Sequence, residues 1–128
     1  AAILLDKLQQ LDADNARRKE VAQQYQAHIN HPQIACLPAP NSVYHIFPIF
    51  CTQRDALQRY LVENGIETHI HYPIPPHKQR CFPTWNSLHL PITERIAKTE
   101  LSLPCHPLMT EEMIRFVSRI INTFPLAH

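Results

Sequence analysis

The densest group of side chains able to do chemistry is His69, His71, Tyr72, His77, Lys78 and Gln79. Imidazole donates, accepts, exchanges protons near neutral pH and ligates metals, so this cluster points to acid–base work, anion recognition or metal binding. His69 and His71 are two positions apart, which sets both rings on one face of an extended chain. With His77 folded back they would resemble a three-ligand zinc site with an open position, although no carboxylate stands at a fixed distance to support it. Exposed histidines without a role are the simpler alternative. Cys105 and His106 supply a thiol and a base, but neighbours in an extended chain point apart. His45, on a hydrophobic run, reads as a hydrogen-bonded core histidine. The remaining reading is ligand recognition: polar groups held on the stiff Pro73-Ile-Pro-Pro76 loop lose little entropy on contact with a sugar, phosphate or carboxylate.

Composition removes several other classes. The 128 residues contain one glycine and twelve prolines, so no glycine-rich loop can bring backbone N–H groups around a phosphate. A net charge of +1 lacks the excess that drives counterion release from nucleic acid, and no DNA or RNA partner is expected. Protonation of the nine histidines would make the surface strongly basic at mildly acid pH. With 45% apolar and 18% charged residues, the chain has globular composition and the length of one domain. Cys36, Cys51, Cys81 and Cys105 form no C-x-x-C pair and read as free cytosolic thiols. The apolar start ends at Asp6, short of a membrane helix and without the basic segment of a signal peptide, so neither membrane nor export is expected. No methionine and no cap precede that start, which suggests a fragment that begins within a helix.

These groups need elements to position them. From Ala2 to about Ile29 no proline or glycine intervenes, and Leu4, Leu8, Leu11, Ala22, Tyr25 and Ile29 recur at helical spacing. Such a helix, about 42 Å long, exceeds the width of a domain this size and suits a connection between two domains. Its polar centre, Asp12 to Glu20, fits either a kink or a solvent-exposed bridge. The run from Ser42 to Cys51 is β-branched and aromatic and predicts a strand, with Pro48 at an edge or bulge. Thr52 to Asp55 reads as a capping box opening a helix with Leu57, Tyr60 and Leu61 inward, and Gly65 ends it in the left-handed conformation. Ile66, Thr68, Ile70 and Tyr72 alternate with Glu67, His69 and His71, predicting a second strand. A helix over 92–99 is supported by the Glu94/Lys98 spacing, and Leu101 to Pro104 is extended. Thr110 caps a last helix with Met113, Val117, Ile120, Ile121 and Phe124 as its apolar stripe. The sum is an α/β (α+β) domain: a small, mainly antiparallel sheet covered by helices.

Four stretches together resemble the C-terminal part of the DegT/StrS-type nucleotide-sugar aminotransferases. They are Arg17 to Tyr25, Ser42 to Phe47, Gly65 to Gln79 with its His-Tyr-Pro and Pro-Pro-His-Lys-Gln motifs, and Leu101 to Thr110 with Leu-Ser-Leu-Pro and Pro-Leu-Met-Thr. The resemblance implies a cytoplasmic, homodimeric enzyme of the aspartate-aminotransferase fold, dependent on pyridoxal phosphate. Such enzymes move an amino group from glutamate to a keto carbon of a nucleotide-linked deoxysugar, with a lysine that holds the cofactor and shuttles the proton. The Ile-His-Tyr-Pro form looks closest to the branch that aminates C3 of dTDP-3-keto-6-deoxyhexoses, C4 amination being the main competitor.

Carried over to matching positions, the resemblance implies that His77 touches the sugar or its phosphates, that Tyr72 and His71 wall the same pocket, and that Lys78 is a weaker contact. Tyr72 closing the core and Gln79 bracing the loop remain the plain alternatives. The family's cofactor lysine, its pyridine-nitrogen aspartate and its phosphate-holding serines or threonines match nothing in these residues. Residues 1–30 are accordingly read as an inter-domain helix and 31–128 as the small domain, with the large domain outside this chain and the polypeptide alone inactive. A stand-alone binding or interaction module is the competing class.

Overall fold

The longest stretch free of proline and glycine becomes the longest element, an unbroken helix α1 over Ala2–His28. The computed structural model describes residues 2–126, without the side chains of residues 2 and 3. Strands β1 (Ile34–Cys36) and β2 (Phe47–Cys51), helices α2 (Arg54–Glu63) and α3 (Pro91–Thr99), strand β3 (Glu100–Leu103) and helix α4 (Glu111–Asn122) follow, with 3-10 turns at Pro76–Lys78 and Pro83–Trp85. The sheet is antiparallel in the order β1-β2-β3. Helices α1 and α4 pack together, α2 lies against β2 and β3, and α3 contacts β2. Tyr25, Phe47, Ile49, Leu57, Leu101 and Ile121 form the centre of the core.

Only the second half of α1 is buried there, through Val21, Ala22 and Tyr25, whereas Leu4, Leu8 and Leu11 are exposed. The end of α1 is tied to α4: Asn122 Nδ2 donates to the His28 carbonyl at 2.8 Å and its Oδ1 accepts from Asn30 N at 2.8 Å.

Both predicted strands are shorter than their patterns. The first is cut back to Phe47 because Tyr44 sits at φ 50, a left-handed conformation that interrupts a strand, stabilised by the Tyr44 amide donating to Ser42 Oγ at 2.9 Å. His45 is exposed there, which corrects its reading as a core histidine. Pro48 lies on the central strand, yet opposite Ser102, whose backbone N–H and C=O both bond His69 across the other edge. Its missing N–H therefore points towards β1, beyond the end of that strand at Cys36.

The segment over 66–70 keeps its alternation, with Ile66 buried and Glu67 and His69 exposed, and loses it at half-buried His71 and exposed Tyr72; it pairs only through the bridge His69↔Ser102. The next ladder bond would join His71 N to Glu100 O. The His71 amide instead donates to the Glu100 carboxylate at 2.7 Å, and Arg54 Nη1 donates to the Glu100 carbonyl at 3.2 Å. Both ladder partners are diverted, so the strand stops.

Helix signals fared unevenly. Thr110 Oγ1 caps α4 by accepting from Met113 N at 3.2 Å, and Gly65 has the left-handed φ of 77. The capping box at α2 does not form, since Gln53 is the cap and Asp55 pairs with Arg54. The stripe of α4 is centred on Ile114, Val117 and Ile121, with Met113 exposed. Glu94 turns away from Lys98 to His77, His89 and the Leu90 amide.

Candidate functional site

β3 places Glu100 and Ser102 on the edge of the sheet that meets the histidine segment, and both are buried. Glu100 receives the His71 backbone N–H through Oε2, at 2.7 Å, and the Ser102 hydroxyl through Oε1. Ser102 Oγ in turn lies 2.9 Å from His71 Nδ1. A buried carboxylate with a donor on each oxygen is tolerated, and here it fixes both the main chain and the ring of His71. The ring stands edge-on to Tyr72 at 5.5 Å between centroids and 6.1 Å from that of His69. The His71–Tyr72 peptide bond is cis.

His71 separates two clefts. One is lined by His69, Ser102, Pro104 and His106, the other by Tyr72, Ile74, Pro76 and Ile96. Tyr72 is 70% exposed and does not close the core. His71 and Tyr72 thus form an open wall that can offer a hydrogen-bonding ring and a phenol to a polar ligand.

His77 lies elsewhere. The residue is only 2% exposed, with Nε2 3.0 Å from Glu94 Oε1 and, among the described residues, no partner for its buried Nδ1. An open imidazole touching substrate is therefore not what this structure holds: the Pro76–Lys78 turn points the ring inward, where Glu94 receives it. The Leu90 amide and then the His77 ring hold the Glu94 carboxyl at about 2, well below the usual carboxylate range. Lys78 Nζ donates to the carbonyls of Asn86 at 2.7 Å and Leu88 at 2.9 Å, pinning the following loop. Gln79 braces the same region, with Nε2 3.4 Å from the Ile74 carbonyl.

The other chemistries gain no support. Among the described residues no group of three His, Cys, Asp or Glu could hold a metal ion. Burial pushes the Cys105 thiol up to about 11 despite the opposing effect of Arg18, which leaves a poor nucleophile near neutral pH. The four cysteines are free, and among the described residues no helix is long and apolar enough to cross a membrane.

Pyridoxal phosphate does not fit these residues. A lysine that holds it must be drawn into a pocket, whereas Lys7, Lys19, Lys78 and Lys98 are all exposed and the Lys78 ammonium is committed to two carbonyls. The one glycine ends a helix at Gly65 and cradles no phosphate. Sequence reasoning missed Glu100, Ser102 and the partner of His77. The signal for the first two was a polar pair alternating with Leu101 and Leu103 in an otherwise apolar strand.

The dTDP-3-amino-3,6-dideoxy-alpha-D-galactopyranose transaminase of Aneurinibacillus thermoaerophilus is 43% identical over 97% of this chain and 35% of its own length. The UDP-2-acetamido-2-deoxy-3-oxo-D-glucuronate aminotransferase of Pseudomonas aeruginosa is 32% identical over 91% of this chain and 33% of its own. The crystal structure of S. venezuelae DesV in complex with a ketimine intermediate superposes with a TM-score of 0.88 at 31% identity, covering 94% of this chain and 34% of that one. The chain thus spans about a third of the length of these relatives. The DegT/DnrJ/EryC1/StrS aminotransferase family matches residues 1–122, with the antiparallel sheet and flanking helices of its solved members, and the chain belongs to that family.

Proposed function

We propose that this chain supplies the small C-terminal domain of a pyridoxal-phosphate-dependent nucleotide-sugar aminotransferase, with residues 1–30 as the helix between domains and 31–128 as the small domain. The observation that carries the reading is the open His71–Tyr72 wall lying inside the stretch matched by the family, residues 1–122. In this reading His71 and Tyr72 contact the sugar, and His77 and Lys78 hold the loop behind them. The bare leucines of α1, with Leu4 72% exposed, are then the surface that the remainder of the enzyme covers.

The favoured substrate is a dTDP-3-keto-6-deoxyhexose aminated at C3, with glutamate as amino donor, in a cytoplasmic homodimer. Relatives named for dTDP-linked 3-amino sugars support that choice. Cofactor binding and proton transfer fall to residues outside this chain, so the polypeptide alone is inactive and keeps no cofactor through dialysis.

The test uses the whole enzyme that contains this chain, with dTDP-linked 3-keto and 4-keto deoxyhexoses offered separately. His71→Gln and Tyr72→Phe each remove one hydrogen bond to substrate, expected to raise the KM for the nucleotide sugar by about tenfold or less. The glutamate half-reaction should be unchanged. Normal sugar kinetics in both variants would refute the assignment, and preference for the 4-keto sugar would overturn the choice of carbon.

A further inference from the structure

The hydrogen bonds behind His71 leave one consistent placement of protons around an ionised Glu100. The carboxylate accepts only, taking the His71 backbone N–H on Oε2 and the Ser102 hydroxyl hydrogen on Oε1. A hydroxyl has a single hydrogen, so Ser102 Oγ must accept from the ring 2.9 Å away. The ring hydrogen then sits on Nδ1, and Nε2 carries the lone pair. The Arg54 guanidinium donates to the backbone carbonyls of Ala97 and Glu100 at 3.2 Å and pairs with Asp55, so it leaves the Glu100 carboxyl group to His71 and Ser102.

We propose that Glu100 and Ser102 are positioning residues that hold neutral His71 as the Nδ1–H tautomer and present Nε2 to the cleft as an acceptor. An acceptor at that position selects a ligand group that donates. A sugar hydroxyl satisfies it, whereas a phosphate or carboxylate oxygen offers no hydrogen. The inference rests on reading His71 as part of the sugar wall and adds the chemical group it reads. If Glu100 were protonated the chain would reverse: Glu100 would donate to Ser102, Ser102 to Nδ1, and Nε2 would carry the hydrogen. The two arrangements differ at one observable atom. His69 and Tyr72 are the ring neighbours, and His45, Glu67, Cys105 and His106 line the adjoining cleft.

Histidine-ring 15N labelling of the chain, with long-range proton–nitrogen correlation at a pH where the rings are neutral, reads the tautomer directly. The His71 signal is assigned by its loss in His71→Gln. The expected result is a protonated Nδ1 and a bare Nε2 in the unsubstituted chain. Ser102→Ala and Glu100→Gln should shift His71 towards the Nε2–H form, and Ser102→Thr, which keeps the hydroxyl, should restore Nδ1–H. A hydrogen found on Nε2 in the unsubstituted chain overturns the proposal whether or not the variants fold. In the whole enzyme Ser102→Ala should raise the KM for the nucleotide sugar by about tenfold or less, with Ser102→Thr recovering most of it. A tautomer that shifts while sugar kinetics stay normal would uphold the orientation of His71 and defeat its place in the sugar wall.

Discussion

Tyr25→Phe removes one oxygen from the core and leaves the ring in place. The ring is fully buried, its centroid 5.1 Å from that of Phe47, and the hydroxyl donates to the Pro104 carbonyl at 3.0 Å. That bond ties α1 to the residue that follows β3, and so to the strand carrying Glu100 and Ser102. A lost hydrogen bond is worth about 0.5–1.5 kcal/mol, and an acceptor stranded in the interior adds to that. Pro104 is half-buried, so water can reach the freed carbonyl and the cost should be about 1 kcal/mol. Tyr25→Ala deletes the ring as well and should cost about 3–5 kcal/mol, the range for emptying an aromatic site. Urea unfolding of the three proteins, with unchanged slopes, measures both. A Phe variant as stable as the parent, or as damaged as the Ala variant, would refute this division between hydroxyl and ring.

The Glu94 carboxyl is depressed from 4.5 to about 2, so the stability it contributes is complete above 4.5 and is lost as pH falls through 2. Glu94→Gln should therefore flatten the acid limb of stability across that window, and an unaltered limb in urea titrations from pH 6 to pH 2 would contradict it. Cys81 is exposed, whereas burial pushes the thiols of Cys36 and Cys105 to about 11 and raises that of Cys51. A disulfide reagent at mild alkaline pH should label one thiol fast and the others only on unfolding; several equivalents in the fast phase would count against the buried placement. At Gly65 an added Cβ would meet nothing within 4 Å, so Gly65→Ala should cost about 1 kcal/mol from the left-handed backbone alone. Gly65→Asn should cost less by thermal melting, and equal stability of all three proteins would remove the argument.

What could be read in the sequence was local. The extents of α1 and α3, the start of α4 at its Thr110 cap and the left-handed Gly65 depend on residues within a turn of each other, and the pattern contained them; the stripe read for α4 ran on to Phe124, past its end at Asn122. Strand lengths did not, because Tyr44 and the His71 amide are diverted by partners that alternation cannot register. The capping box failed through competition, Arg54 taking the carboxylate that would have reached back. Glu94 shows the same effect over a longer distance: its spacing to Lys98 was visible, but His77, seventeen residues earlier, holds it. For the candidate site, the motif drew attention to the segment over 69–79, yet which rings face outward was settled by long-range contacts. Glu100 and Ser102 lie 29 and 31 residues from His71, beyond any local spacing rule.

The diverted ladder at β3 has a further effect on how this protein behaves in concentrated solution. Sheet margins recruit foreign strands when a row of amides and carbonyls lies idle along them. Here both groups of Ser102 are engaged by His69, and the carbonyl of Glu100 is capped by Arg54. The arrangement that steadies one imidazole therefore also blunts the border against cross-molecular growth, so polymer formation should begin elsewhere on the molecule.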